Sequence, residues 1–312
     1  MTLDPPLSQP APPDGPPISH DFCLAWNWEY DADLATLLEE ACRQRGLSLL
    51  QATPTNLPGI CAALGSGELG FRAFLDRASD ADPQFMPLVD WAREHSVVRI
   101  NAYELAHRSW NKATMHLEFL TASVHVPCTI ILPPYTEQAD LAPPDLGVLG
   151  ANFSIKPACR GGGEGVINRA SAWSEVLSAR QQYPEEPYLL QANIVPVHLH
   201  GRPAWFRIIF CAKRVYPCWW NVSTHVYQPV TVDEEISFGL SPLYRIVARI
   251  AAVSGLDLFS TEIALTETGE FIAIDYVNDP VDLRLQSRAA DGVPDDIVRD
   301  LVWQLTTLVA AP

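Results

Sequence analysis

The lysines of this chain are the residues whose scarcity points most directly to chemistry. The 312 residues contain only Lys112, Lys156 and Lys213, and the other 18 of the 21 cationic side chains are arginines. A lysine retained against this bias indicates a need for a compact ammonium rather than a planar guanidinium. Lys156 ends an apolar run that predicts a strand, and a glycine-rich segment begins five residues later. A cation at a strand end followed by such a segment is typical of a site that holds a polyphosphate.

The glycine-rich segment has the composition of a phosphate-binding loop. Backbone N–H groups can approach an anion where no Cβ intrudes, and a neighbouring ammonium neutralises part of the charge. Arg160 precedes the loop, and both a phosphate contact and a purely structural position fit it. No Gly-Lys-Ser or Gly-Lys-Thr follows, so the loop is not a Walker A motif. The glycines that we expect at the phosphates are Gly161, Gly162, Gly163 and Gly165.

Two apolar segments near the C-terminus carry acidic side chains and predict a pair of strands joined by a hairpin turn. Glu262 lies on the first segment, and Asp275 and Asn278 lie on the second. Oxygen ligands that converge from adjacent strands suit Mg²⁺, although an acid on a solvated sheet face is the simpler reading of Glu262 alone. In a regular strand Asp275 and Asn278 would point to opposite faces. We therefore predict a β-bulge near Tyr276–Val277 that brings them together.

The first hundred residues predict a small α/β domain behind a tail. Seven prolines in residues 1–17 indicate a disordered tail, which we extend to residue 20. A strand at 21–26, a helix capped by Asp31 and a second strand at 47–52 form a β-α-β unit, which implies a parallel sheet. Helices around 68–75 and 84–94 and a strand near 97–100 complete a predicted domain over residues 21–102.

The remaining residues, 103–312, predict a larger domain in which helices alternate with paired strands. Its N-terminal segment reads as helical and contains Lys112, and a loop rich in proline and acid precedes the strand of Lys156. The predicted elements are helices at 103–123, 171–182 and 242–254 and one starting near 294, with strands at 127–132, 152–157, 189–196, 204–213, 258–265 and 271–277.

Composition excludes several classes of partner. The net charge of −16 and the pI near 4.8 disfavour binding to nucleic acid or to an anionic membrane. No apolar run reaches the ~18 residues of a membrane span, and the N-terminus has no signal-peptide pattern. The seven cysteines are scattered and include no Cys-x-x-Cys, which favours reduced thiols in the cytoplasm. An acidic protein that binds an anionic nucleotide must concentrate its few cations and add a divalent metal.

In their order along residues 100–312, these motifs resemble the ATP-grasp superfamily, which includes D-alanine–D-alanine ligase, glutathione synthetase and inositol phosphate kinases. The resemblance implies an α/β chain that is α+β in its C-terminal part. Two α+β lobes, about 103–190 and 191–312, would clasp ATP. A small parallel-sheet α/β domain, the substrate-side domain of the family, would precede them.

The same resemblance assigns roles to the cationic residues. Lys112 would contact the α-phosphate, Lys156 would bridge phosphates under the glycine loop, and Arg207 would steady the transferred phosphoryl group. Lys213 would reach the phosphates or an anionic substrate, with a solvated strand end as the alternative. Arg284 would clamp a substrate carboxylate bidentately, with a structural ion pair as the alternative.

The resemblance also implies an adenine-binding hinge and a metal site. Adenine would meet the backbone of Gln191, Ala192, Asn193 and Ile194 and pack on the Ile194 side chain. Glu262, Asp275 and Asn278 would hold one or two Mg²⁺, with Mn²⁺ as an alternative. The chain departs from the family at Gln191, where a glutamate is usual, and at the metal strand, where an acid usually stands two residues before the asparagine. The loop after Asn278, which normally meets the substrate, also differs, so the substrate class stays open.

The function implied is an ATP-dependent ligase that joins a carboxylate to an amine through an acyl phosphate, on small-molecule or peptide substrates. A small-molecule kinase with the same ATP machinery is an alternative, and so is a nucleotide-binding protein that has lost catalysis. A homodimer is left open, because related ligases are often dimers.

Overall fold

The computed structural model describes residues 18–310. It is a mixed α/β structure with one parallel sheet and antiparallel sheets, as the sequence predicts. Residues 1–17 of the tail expected at residues 1–20 lie outside the described residues. The prediction is wrong for residues 18–20, because they begin the first strand, β1 (Ile18–Trp26), and pair with the strand at Leu69–Arg77.

The chain divides into two compact units. Of the described residues, one unit contains 18–100 together with 302–310, and the second spans Asn101–Leu301. The first unit contains a four-stranded parallel sheet in the order β2-β1-β3-β4. In chain order, the elements before Asn101 are β1, α1 (Ala32–Gln44), β2 (Leu49–Ala52), α2 (Leu57–Ser66), β3 (Leu69–Arg77), α3 (Met86–Glu94) and β4 (Val98–Ile100).

Two local predictions in this unit are wrong. The segment expected as a helix around 68–75 is β3, an inner strand that pairs with both β1 and β4. Burial on both faces gives such a strand a nearly continuous apolar run, which periodicity does not distinguish from a buried helix. Asp31 makes no side-chain cap, because its carboxylate accepts two hydrogen bonds from the buried guanidinium of Arg77, at 2.9 and 2.7 Å.

Besides the short antiparallel pair of β9 and β10, the second unit contains two larger antiparallel sheets, which supply every predicted nucleotide-site strand. The smaller has the order β5-β8-β6-β7, and the larger has the order β13-β12-β11-β14-β15. In chain order the elements are α4 (Tyr103–Trp110), α5 (Lys112–Thr121), β5 (Thr129–Leu132), β6 (Phe153–Pro157), β7 (Ile167–Ala170), α6 (Trp173–Arg180), β8 (Tyr188–Ala192), β9 (His198–Leu199), β10 (Arg202–Pro203), β11 (Trp205–Cys211), β12 (Arg214–Asn221), β13 (Val226–Pro229), α7 (Val232–Phe238), α8 (Pro242–Ser254), β14 (Leu258–Leu265) and β15 (Phe271–Asn278), and α9 (Asp295–Ala310) follows.

The segment predicted to be helical at 103–123 is helical, and it forms two helices because the first ends at Asn111. Asn111 has an extended backbone, and its side chain accepts a hydrogen bond from the Thr114 N–H at 3.0 Å. This N-cap satisfies a backbone donor that the new helix leaves free. Lys112 consequently occupies the first turn of α5, and its N–H donates to the Ala158 carbonyl just after β6.

The core of the second unit lies mainly between the larger sheet and its helices. Phe119 of α5, Ile250 of α8, and Phe206 and Tyr276 of the sheet belong to one buried cluster. A smaller cluster packs α6 on the smaller sheet. Among residues 18–310, no single helix is both long and apolar enough to cross a membrane; α7 and α8 reach that length only as a pair, which is bent by 99°.

Candidate functional site

A cavity of about 910 Å³ in the second unit is lined by most of the predicted site residues. Its volume lies within the range of about 300–1,000 Å³ that is usual for small-molecule and cofactor sites. Both antiparallel sheets contribute to its walls. The predicted residues that line it are Lys112, Lys156, Arg160, Gly161, Gly162, Gly163, Gln191, Ala192, Asn193, Ile194, Glu262, Asp275 and Asn278.

Lys156 projects from β6 into this cavity. Its ammonium donates to the Gln191 side-chain oxygen at 2.6 Å, and Gln191 lies on the neighbouring strand β8. Burial lowers the pKa of Lys156, and the negative charges of Asp275 and Glu262 partly offset that effect. A bound anion would favour the charged form further, so the site is suited to a ligand with negative oxygens.

Lys112 links helix α5 to the start of the glycine loop. Its ammonium donates to the carbonyl oxygen of Arg160. The Arg160 side chain turns back to Glu186, with Nε donating at 2.7 Å, and lies 4.4 Å from the centre of the Tyr183 ring. Two of the three lysines therefore meet at one cavity, which is the arrangement that a polyphosphate requires.

The glycines of the loop have two different roles. Gly161, Gly162 and Gly163 line the cavity, and a Cβ added to any of them would meet no atom within 4 Å. Gly165 is not among the lining residues. Its φ is +70°, and a Cβ there would lie 2.6 Å from Cε2 of Tyr183. Gly165 thus allows the loop to close against Tyr183, while the first three glycines leave open space where a ligand can approach the backbone.

We expect Gly165→Ala to lower the free energy of unfolding by about 1–2 kcal/mol, because alanine must adopt a left-handed conformation and displace Tyr183. Urea denaturation of purified protein measures this loss. Gly161→Ala is the matched control, since Gly161 has no positive φ and no atom within 4 Å of its added Cβ. Equal stability of the two variants would contradict the packing role assigned to Gly165.

The β-bulge predicted near Tyr276–Val277 is confirmed. Ser260 pairs with Asn278 and Glu262 pairs with Asp275, so three steps along β15 match two along β14. A second irregularity follows, where one step from Glu262 to Ile263 matches two on β15. Because of the first bulge, Asp275 and Asn278 both line the cavity despite their odd spacing.

The acidic side chains of this site lie among cations. Glu262 accepts from Arg207 Nη1 at 2.8 Å and from Trp205 Nε1 at 2.9 Å. Burial raises the pKa of Glu262, and the neighbouring Asp275 raises it further. Burial alone would also raise the pKa of Asp275, but Lys112, Lys156 and Arg207 together hold it below its ordinary value.

These donors fit Mg²⁺ better than a transition metal. Glu262, Asp275 and Asn278 offer only hard oxygen ligands, and Mg²⁺ usually binds one or two carboxylates together with substrate phosphates. Within residues 18–310, no group of three or more His, Cys, Asp or Glu side chains is arranged to hold a metal ion. A metal at this site must therefore take further oxygens from a ligand or from water.

Arg207, Lys213 and Arg284 do not line the cavity. Arg207 lies behind Glu262, with its guanidinium 5.0 Å from the centre of the Trp220 ring. Lys213 is exposed in the turn between β11 and β12, beside the pairing of Cys211 with Leu258. Leu258 is four residues from Glu262, or about 13 Å along a strand. Lys213 therefore lies at the far end of this strand pair from Glu262.

Arg284 forms a structural ion pair, which the sequence analysis gave as the alternative to a clamp on a substrate carboxylate. Its guanidinium donates to Asp282 at 2.7 Å and to Asp291 at 2.9 Å. Two carboxylates thus already occupy the fork that a substrate carboxylate would need. The structure gives no support to a clamp at this position.

Sequence reasoning missed three contributors to the site. Trp205 lines the cavity and lies two residues before Arg207 on β11. Because side chains alternate between the two faces of a strand, the sequence already indicated that Trp205 and Arg207 share one face. His116 and Tyr276 lie behind Gln191, and their hydroxyl–imidazole contact of 2.6 Å joins residues 160 positions apart. No local pattern could have indicated that contact.

Comparisons with known proteins found likeness only at the level of three-dimensional structure. No family model matches the sequence, and no curated protein matches it. A RimK domain protein of the ATP-grasp type from Sphaerobacter thermophilus superposes with a TM-score of 0.64 at 18% identity, covering 93% of this chain and 100% of its own. D-alanine–D-alanine ligase from Bacillus anthracis, solved with ATP, gives 0.63 at 10% identity, covering 92% and 95%. The ATP-grasp ligase PsnB, solved with a minimal precursor, Mg and ADP, gives 0.61 at 14% identity, covering 92% and 98%.

Proposed function

Because the chain has the ATP-grasp fold, we propose that it is an ATP- and Mg²⁺-dependent ligase that joins a carboxylate to an amine and releases ADP and phosphate. The observation that carries this proposal is the convergence of Lys112, Lys156 and three loop glycines with Glu262, Asp275 and Asn278 around one cavity. Cations, open backbone and oxygen ligands around one space are the groups that a metal–nucleotide complex requires.

The proposed reaction has two steps. A substrate carboxylate oxygen attacks the γ-phosphorus of ATP, which breaks the bond to the β-phosphate oxygen and gives an acyl phosphate and ADP. The amine nitrogen then attacks the acyl carbon, a C–N bond forms, and inorganic phosphate leaves while the amine loses a proton. In phosphoryl transfer the protein contributes chiefly positioning and electrostatic stabilisation.

Each residue then has a defined task. Lys156 and Lys112 neutralise phosphate oxygens, and the N–H groups of Gly161–Gly163 approach the same oxygens. Mg²⁺, or Mn²⁺ in its place, would be held by Glu262, Asp275 and Asn278 and would neutralise charge on the transferred phosphoryl group. Arg207 keeps Glu262 ionised and aligned. The buried Nε of Arg207 has no hydrogen-bond partner among the described residues.

Several apolar side chains that line the cavity suit a purine base. They include Ile194 and Val195 of the hinge, Ile274 of β15 and Trp205 of β11. We propose that adenine packs between these side chains and bonds to the hinge backbone. The side chain of Gln191 bonds to Lys156 and Tyr276, so we assign it to Lys156 rather than to adenine.

The substrates proposed are small-molecule or peptide carboxylates and amines. PsnB is one neighbour solved with a peptide-type precursor, and D-alanine–D-alanine ligase represents the small-molecule type. Because Arg284 is paired with Asp282 and Asp291, the carboxylate must find its cation elsewhere. A cytoplasmic location, and a homodimer as one possible assembly, remain part of the proposal.

A phosphate-release screen tests the function. Purified protein is incubated with ATP, Mg²⁺ and pooled amino acids, polyamines and short peptides, and products are identified by mass spectrometry. We expect release of phosphate with ADP and a product that carries a new amide bond in at least one pool. ADP with a phosphorylated acceptor would indicate a kinase. Tight ATP binding without turnover in every pool would indicate a nucleotide-binding protein.

A further inference from the structure

A chain of four polar side chains runs from the cavity into the core of the second unit. It begins at Lys156 on β6, passes through Gln191 on β8 and Tyr276 on β15, and ends at His116 on α5. The last three side chains belong to residues that are only 2%, 2% and 4% exposed. Buried polar groups are costly unless each is satisfied, so a complete chain of this kind fixes the positions of its members.

The chain has one consistent direction. The ammonium of Lys156 can only donate, so the Gln191 atom that it contacts at 2.6 Å is the oxygen. The Gln191 amide nitrogen then donates to the Tyr276 hydroxyl at 2.9 Å. A tyrosine hydroxyl both accepts and donates, and burial lowers the pKa of His116, which favours a neutral imidazole with one accepting nitrogen. The hydroxyl can therefore donate to His116 Nδ1 at 2.6 Å.

Tyr276 also occupies the bulge that shapes the metal side of the cavity. It lies between Asp275 and Asn278, and while those two residues line the cavity, its ring turns into the core against Phe119 at a centroid distance of 5.2 Å. The same residue thus anchors the bulged strand and holds Gln191. Without the hydroxyl, the Gln191 amide could rotate and present nitrogen, a donor, to the donor-only ammonium of Lys156.

We propose that Tyr276 is a positioning residue whose hydroxyl orients the Gln191 amide and thereby fixes the Lys156 ammonium where it meets the polyphosphate. This inference rests on the proposed function, because it requires that Lys156 binds phosphate. It assigns a task to Tyr276, which lies two residues before Asn278, at the position where an acid is usual in the family. Tyr276 itself touches neither phosphate nor metal in this scheme.

The test compares Tyr276→Phe with Tyr188→Phe by calorimetric titration of adenosine, ADP and a non-hydrolysable ATP analogue with Mg²⁺. Tyr188 is the matched control, because it lies on β8 with a fully buried hydroxyl that donates to the Ala179 carbonyl at 2.6 Å, and it does not line the cavity. We expect Tyr276→Phe to weaken ADP and the analogue about 10-fold, as for loss of one well-placed charged contact, and to leave adenosine unchanged. Tyr188→Phe should leave all three affinities unchanged.

A double mutant separates positioning from a general structural effect. In a Lys156→Met background, Tyr276→Phe is expected to cause no further loss of ADP affinity, because its effect passes through the ammonium. A full additional 10-fold loss there would overturn the proposal, and so would equal weakening of adenosine and ADP in the single variant. If Tyr276→Phe does not fold, Gln191→Leu is titrated with the same three ligands. We expect the same result, namely weaker binding of ADP and the analogue and unchanged binding of adenosine.

Wild-type protein distinguishes this inference from the function on which it rests. If wild type binds the ATP analogue but Tyr276→Phe behaves like Tyr188→Phe, the positioning role alone is overturned. If wild type binds none of the nucleotides, both the proposed function and the positioning role are overturned.

Discussion

Replacing Lys156 with alanine is expected to lower ATP turnover by about 100-fold while the protein stays folded. The loss corresponds to about 3 kcal/mol, which is typical when one preorganised charge is removed from a site that stabilises a transferring group. Folding should survive, because the buried ammonium is itself costly to desolvate and its removal relieves that cost. Phosphate release measures turnover, and circular dichroism with thermal unfolding measures the fold.

Lys213→Ala is the matched control for this prediction. The same residue type is removed, but Lys213 lies in the exposed β11–β12 turn and does not line the cavity. We expect turnover within about twofold of wild type for this variant, as for most surface substitutions. Wild-type turnover in Lys156→Ala, or an equal loss in Lys213→Ala, would show that the phosphate site has been placed wrongly.

Asp275→Asn is expected to lower turnover at a fixed, low Mg²⁺ concentration by about 100-fold. Asparagine keeps the size and shape of the side chain, but it replaces one acceptor oxygen with an amide donor and removes the negative charge that three nearby cations stabilise. The loss should be partly recovered at high Mg²⁺ concentration, because the site retains Glu262 and Asn278. A Mg²⁺ titration of ATP turnover measures this shift in apparent metal affinity.

The control for the metal side is Glu270→Gln. Glu270 is an exposed acid in the turn that joins β14 to β15, so the variant removes one negative charge from the same hairpin outside the cavity. Its Mg²⁺ dependence should match that of wild type. If Asp275→Asn also kept the wild-type Mg²⁺ dependence, Asp275 would not be a metal ligand, and the bulge would have a purely structural explanation.

The parts of the site that could be predicted are those fixed by local sequence. A lysine at a strand end, glycines a few residues later and acids inside apolar strands are each visible in short windows. The bulge was predictable as well, because the three-residue separation of Asp275 and Asn278 conflicts with the two-residue period of a strand. Local rules failed for β3, whose burial on both sheet faces removes the alternation that identifies a strand.

Roles that depend on distant partners could not be predicted. Nothing near Arg284 in the sequence decides between Asp282, Asp291 and a substrate as its partner, and the structure shows both aspartates. Asp31 has the residue type and position of a helix cap, yet Arg77, 46 residues later, takes its carboxylate. Similarly, the bond from Gln191 to Tyr276 spans 85 residues and follows only from the packing of β8 near β15.

The paired irregularities of β15 make the length of this strand as important as its composition. Ile274 and Asp275 are adjacent yet both line the cavity, so two successive side chains of this strand contribute to the same space. Deleting one residue between Ala273 and Asn278 would remove one of these two irregularities and turn the side chains beyond the deletion to the opposite face of the sheet. Relatives that share this site should therefore vary in side chains along the strand before they vary in its residue count, and any redesign of the metal ligands must preserve that count.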